Sequence, residues 1–187
     1  MKKILIITSS FPREKSPHAG IFIKKFIDSF SDNFIFSILA PSDSKPSSSI
    51  YDNQRVKWVR YAHRSGETLF YNNGGVPNQN RYTLNNILKF SVYIISMLFT
   101  ALIKCRSHDI IHVQWVQNGV FAILPKLIFN IPYVITVHGS DYRHYKRNWL
   151  NKTIGNIVIY FASGVITVNE YYLNSLTKVY PKKDIRY

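Results

Sequence analysis

The stretch Ile131-Pro-Tyr-Val-Ile-Thr-Val-His138-Gly-Ser-Asp141 decides how this chain is read. Within it, Tyr133–Val137 is β-branched or aromatic throughout and apolar on both alternating faces apart from Thr136. That pattern predicts a strand buried on both sides, as in a parallel sheet covered by helices. The strand stops at a histidine, a glycine, a serine and an aspartate. In an open α/β sheet the carboxyl ends of the strands are where ligands bind, so titratable groups stand where a substrate would meet them.

Working outward, residues 3–8, 34–40, 56–61, 109–113 and 164–168 predict further strands, and residues 184–187 the start of a seventh. The third of these alternates basic and apolar residues, which places it at an edge or with one face exposed. Helical spacing of apolar residues covers 20–30, 81–105, 118–129, 150–161 and 170–178. Strand and helix alternate along the chain. The expected fold is therefore a single α/β Rossmann-like domain, doubly wound, with a mainly parallel sheet flanked by helices. Residues 41–49, rich in Ser, Pro, Asp and Lys, predict a flexible loop, and Asn72-Asn-Gly-Gly75 predicts a turn inside an irregular segment, 63–80.

Composition limits what this domain can be. The 187 residues allow one sizeable core, and 46% hydrophobic with 15% aromatic residues excludes a disordered chain. Lys plus Arg number 24 against 10 acidic residues, a formal charge of +14. Such an excess points to a polyanionic neighbour: nucleic acid, an anionic membrane surface or a phosphorylated substrate. The charge is spread along the chain with no basic block, which fits a membrane surface or phosphate-handling enzyme better than a nucleic-acid tail. Cys105 is the single cysteine, so neither an internal disulfide nor a multi-cysteine zinc site can form. A reducing, cytoplasmic setting fits that usage. The apolar run 4–7 is far shorter than the core of a signal peptide.

Residues 90–103 hold fourteen uncharged residues, where a membrane span needs roughly twenty. Lys89, Tyr93, Ser96, Thr100 and Lys104 recur at three or four and form one polar stripe. Leu84, Ile87, Leu88, Ile95, Leu98 and Leu102 fill another face. The expectation is a nearly buried helix of the domain core; leaning on a bilayer is the alternative.

The first strand-to-helix turn lacks both the dinucleotide G-x-G-x-x-G and the lysine-bearing phosphate loop. It is long, with Gly20 at the helix start, where a ligand can approach the backbone amides or where the turn alone requires glycine. Arg13, Lys15 and His18 in this loop can meet a phosphate or stay solvated. His112, near the end of the fourth strand, is a hydrogen-bonded structural residue or a ligand contact. Trp115 is an apolar platform for a sugar or lipid, or part of the core. His138, with Gly139 freeing the backbone beside it, is the leading functional candidate. Asp141 caps the next turn, orients an imidazole or binds a sugar hydroxyl. Asn169 and Glu170 suit an N-cap and a helix dipole, with catalysis by Glu170 as the lesser reading. His108 and His112 have the interval of a metal-binding pair but flank a strand, so no metal site is expected.

These segments taken together resemble the amino-terminal domain of the family-4-like glycosyltransferases, enzymes of the GT-B fold. The resemblance rests on Phe11-Pro12 followed by Gly20-Ile-Phe-Ile-Lys24, then Asp109-Ile-Ile-His112, then Val137-His-Gly-Ser-Asp141, and on Ser163-Gly-Val-Ile-Thr-Val168 before a helix. It covers essentially the whole chain in order. Asn169 departs from it, because the family commonly carries serine there.

The resemblance implies two Rossmann-like domains facing each other across a cleft, with the acceptor on the amino-terminal side and the nucleotide sugar on the other. It implies that the Gly20 loop approaches the donor phosphates and the acceptor, and that His138 lines the cleft at the reacting sugar. It further implies transfer with retention, a nucleotide sugar as co-substrate, and no metal or other cofactor. The expectation for residues 1–187 is thus an acceptor-side half, inactive without a donor domain, for surface polysaccharide or glycolipid synthesis. Its expected partners are a sugar or lipid-linked acceptor, a donor domain or separate partner chain, and an anionic membrane surface at the inner face of the cell membrane. The alternatives are a non-catalytic acceptor-binding module that pairs with a separate donor-domain chain and, on charge alone, a nucleic-acid-binding domain.

Overall fold

The computed structural model describes residues 1–13, 16–42, 55–63, 66–71, 83–141 and 149–187. Lys15, the Asn72–Gly75 turn and nearly all of the loop at 41–49 lie outside the described residues. The elements run β1 Lys2–Ile7, α1 Ile21–Phe30, β2 Phe34–Pro41, β3 Arg55–Val59, α2 Leu84–Cys105, β4 Ile110–Gln114, a 3-10 turn Val116–Gly119, α3 Val120–Phe129, β5 Tyr133–Val137, α4 Trp149–Phe161, β6 Gly164–Thr167, α5 Glu170–Val179 and β7 Ile185–Arg186.

The strands form one parallel sheet in the order β3-β2-β1-β4-β5-β6-β7. The chain winds from β1 out to β3, which takes the edge expected from its alternating charge, then crosses back to β4 and continues to β7. The reversal between β1 and β4 opens a crevice at their carboxyl ends, where such sheets place ligands. Register aligns Ile6 with His112 and Gln114 with Thr136.

Among the described residues, right-handed crossovers put α1 on one face of the sheet and α2, α3, α4 and α5 on the opposite face. The core divides accordingly. Ile6, Ile38 and Ala40 pack with Ile23 and Ile27 of α1. On the other side, Leu5, Ile7, Leu39, Ile111, Val113 and Ile135 pack with Met97, Phe121, Val158 and Leu176, one from each helix of that layer. Helix ends follow local chemistry. Thr83 caps α2 by accepting from the Asn86 amide at 3.2 Å, so that helix starts three residues later than its spacing predicts. Asn169 caps α5 by accepting from the Tyr172 amide at 2.9 Å, as expected.

One expectation is overturned. Helix α2 is not nearly buried: its inward stripe is Tyr93, Met97, Ala101 and Cys105, and the face expected to pack outside that stripe is open. Leu84 is 73% exposed and Ile95 67%. Tyr93, assigned by spacing to the polar stripe, lies in the core against Phe70 at a ring distance of 4.4 Å. Burial pushes its phenol well above the ordinary pKa range. Because both faces of α2 are apolar, the sheet takes the one with the small Ala101 and Cys105, which allow close approach.

Candidate functional site

The site grows from the ends of β1, β4 and β5. Thr8 closes β1 by donating its hydroxyl to the Ser10 carbonyl at 2.8 Å and accepting the Ser10 amide at 3.1 Å. The chain then loops through the buried Phe11, whose amide donates to the Tyr71 hydroxyl at 3.2 Å. It returns to Gly20, which has φ 66° and stands so close to β1 that an added Cβ would lie 2.4 Å from the Ser10 carbonyl oxygen. The turn therefore requires glycine, and it brings the start of α1 over the crevice. Arg13 is buried. It donates to the Pro41 carbonyl at 3.1 Å and stacks on Tyr71, 3.1 Å from the ring centroid, so its charge fastens the loop to the end of β2. His18 is exposed near the foot of α1.

On β4 and β5 the period of two sets four side chains on one side of the sheet. His112 and Gln114 project from β4; Thr136 from β5 meets them, and His138 follows it. The contacts form a chain: Thr136 Oγ1 lies 2.8 Å from His112 Nε2, Gln114 Nε2 lies 3.3 Å from that same nitrogen, and Gln114 Oε1 lies 2.7 Å from His138 Nε2. The orientation that satisfies all three has Thr136 and the Gln114 amide donating to His112 Nε2. His138 Nε2–H then donates to the Gln114 carbonyl oxygen. This assigns the His138 proton to Nε2 and leaves Nδ1 as an acceptor. Asn118 steadies the end of β4 by donating to the Gln114 backbone carbonyl at 2.7 Å.

Asp141 acts from beneath. It is buried, and its carboxylate accepts the His138 amide at 3.1 Å and the Val116 amide at 3.0 Å. It ties the ends of β4 and β5 together, a backbone clamp that was not among the three roles left open for it by the sequence. Gly139, at φ 92°, leaves the space that the Tyr172 ring of α5 occupies; a Cβ there would lie 2.5 Å from the Tyr172 hydroxyl. Glu170 is exposed in the first turn of the same helix.

An aromatic wall completes the site. The His138 ring lies 4.6 Å from Phe22 and 5.0 Å from Trp115, and those two meet edge to face at 5.7 Å. Trp115 has φ 64° and ψ 138°, a backbone conformation that a bulky residue adopts only under constraint. That strain is held at the end of β4, beside the switch point where such sheets place ligands. His112, His138, Gly139, Asp141 and Trp115 are thus brought together, with Gly20 placing Phe22 against them; Arg13 is used elsewhere. Gln114, Thr136 and Phe22 are added by the structure. The signal for the first two was available, since both stand two residues from a candidate histidine.

Burial lowers both histidines to a pKa of about 4, and for His112 the nearby His138 contributes in the same direction. Both are neutral at pH 7. Their folded pKa values lie below the unfolded value, so the stability they contribute is complete above about pH 6.5 and is lost as pH falls toward 4. Urea unfolding is expected to weaken by roughly 1–2 kcal/mol per pH unit across that window. A His112→Gln variant should show a shallower fall; equal slopes would remove this assignment.

Comparison with known proteins gives the family and the fold. The sequence profile of Glycosyltransferase Family 4 matches residues 51–187. No curated protein matches the chain at a significant level. Among solved structures, sucrose-phosphate synthase from Thermosynechococcus elongatus superposes with TM-score 0.66 at 12% identity, over 100% of this chain and 47% of that one. The catalytic domain of starch synthase IV from Arabidopsis thaliana, bound to ADP and acarbose, gives 0.63 at 15% identity over 100% and 51%. The Anabaena protein HepE in complex with UDP-glucose gives 0.60 at 13% identity over 95% and 40%. The chain thus spans about half or less of these three structures, and the likeness establishes a GT-B-like, Rossmann-type half.

Proposed function

The chain belongs to Glycosyltransferase Family 4, and on that premise we propose that it forms the acceptor-binding half of a nucleotide-sugar-dependent, retaining glycosyltransferase. The product class is a surface polysaccharide or glycolipid, made at the inner face of the cell membrane. The donor sugar is held by a second domain facing the crevice, with no metal required. The observation that carries this reading is the His138 ring, held through Nε2 at the end of β5 between Phe22 and Trp115. Aromatic faces pack on the apolar side of a sugar ring, and a fixed neutral imidazole gives directional hydrogen bonding where two substrates meet. The UDP-glucose and ADP named for two of the structural neighbours both carry a diphosphate, which fits the strongly basic character of the chain. His18, Gly20 and Glu170 border the acceptor path in this reading. The electrostatic clamp for the leaving diphosphate belongs to the facing domain.

The test uses the 187-residue chain with a panel of oligosaccharides and lipid-linked saccharides, read by calorimetry, beside a turnover assay with nucleotide sugars. Weak saccharide binding, lost in Trp115→Ala and His138→Ala variants that melt like the wild type, is expected, with no turnover. Full turnover by the chain alone would overturn the half-site reading. Absence of any saccharide binding, together with tight duplex binding at physiological salt, would replace it with a nucleic-acid role.

A further inference from the structure

The layer formed by α2, α3 and α4 has a surface chemistry unlike the rest of the molecule. Of the chain's 10 acidic residues none falls in these helices, while Lys89, Lys104, Lys126 and Lys152 do. Arg106 follows α2 directly and stacks its guanidinium on Phe129 of α3, 5.5 Å from the ring centroid. On the outward side of α2, opposite the buried Met97 and Ala101, an apolar ridge runs through Leu84, Leu88, Ile95, Phe99 and Ile103. Leu127 and Ile128 extend it onto α3. Two of the hydroxyls that interrupt α2 are turned back on the helix. Ser91 donates to the Ile87 carbonyl at 3.0 Å and Thr100 to the Ser96 carbonyl at 2.7 Å. The ridge side chains themselves are hydrocarbon and ask for no hydrogen-bond partner.

We propose that this face docks the protein onto an anionic lipid bilayer, with α2 lying in the interface plane. By length and composition α2 could cross a membrane, but its inner stripe is sheet core, and spanning would strip Met97, Ala101 and Cys105 from it. A helix that keeps one side on a protein and offers the other to lipid lies on the surface, along about 33 Å for 22 residues. Charge selects the occupant. A second copy would bring another +14 against a face with no carboxylates to receive it, and a nucleic acid offers the ridge no apolar partner. Anionic headgroups meet the lysines while acyl chains meet the ridge. Because α2 runs antiparallel to the strands, its amino end lies at the carboxyl end of the sheet, as His138 does. Docking therefore holds the crevice at the headgroup level, where a lipid-anchored acceptor is presented. The docking stands on surface chemistry alone and does not depend on sugar transfer.

Flotation of the full chain with phosphatidylcholine vesicles, with or without phosphatidylglycerol, tests it. Binding is expected only with the anionic lipid and should weaken with salt. An Ile95→Glu/Phe99→Glu variant should lose about tenfold or more of its vesicle affinity at an unchanged melting temperature. Lys104→Gln/Lys152→Gln should lose less and show a shallower salt dependence. Equal flotation of wild type and Ile95→Glu/Phe99→Glu, or no flotation with either lipid, overturns the proposal. So does a wild-type dimer that the same double variant converts to monomer. Saccharide binding measured on these variants separates a failure of docking from a failure of the acceptor site.

Discussion

Asp141→Ala is expected to lower the free energy of unfolding by roughly 2–6 kcal/mol and to loosen His138 at the same time. The carboxylate is buried and accepts backbone amides from two different strand ends, His138 on β5 and Val116 just past β4. Removing it leaves two donors without this acceptor where water has little access, and each such loss costs about 1–3 kcal/mol. Asp141→Asn keeps one oxygen but must turn its amide toward one of the two donors, so an intermediate loss is expected. Urea unfolding measures the first effect. The second shows as line broadening of the His138 and Trp115 signals by NMR in conditions where the variant is still folded. An Asp141→Ala protein with wild-type stability and sharp His138 signals would mean that the clamp does not hold this end of the sheet.

Much of this arrangement could be read from residues alone, for reasons that also explain the failures. Tyr133–Val137 is legible as a strand because a β-branched and aromatic run that follows Pro132 and ends at His138-Gly139 has little alternative to a central strand. His138 stands out in the sequence because it follows that run directly. Helix α2 misled because periodicity separates inside from outside only when one face is polar. Here both faces are apolar, and Tyr93, polar by its hydroxyl, contributes a ring that the core takes. Asp141 stayed ambiguous because its second partner, Val116, is twenty-five residues away in sequence. Arg13 reads from sequence as a phosphate contact or a solvated side chain because a loop arginine shows nothing of the aromatic rings that receive it, Trp58 and Tyr71. Long-range partners of polar groups are what local pattern does not carry.

Gln114 is the case where that missing partner bears most on chemistry. Its amide oxygen receives His138 Nε2–H at 2.7 Å while its amide nitrogen faces His112. Gln114 is therefore a positioning residue, holding both the tautomer and the direction of the ring. In the proposed two-domain transferase, His138→Ala is expected to reduce kcat by roughly 10²–10³-fold. Gln114→Leu should reduce it by roughly 10–100-fold with little change in acceptor KM, because the imidazole remains but is no longer aimed. A structural role alone would not move the next readout. In the isolated chain, 15N shifts should report the Nε2–H tautomer for wild type and a mixture for Gln114→Leu. Gln114→Glu places a carboxylate against Nε2, which favours the imidazolium and should raise the His138 pKa from about 4 toward or above its ordinary value. Activity of that variant would then decline as pH falls through the new pKa, in a range where the wild type is flat. If Gln114→Leu keeps both the wild-type tautomer and the wild-type rate, the ring is aimed by Phe22 and Trp115 alone, and Gln114 is no more than packing.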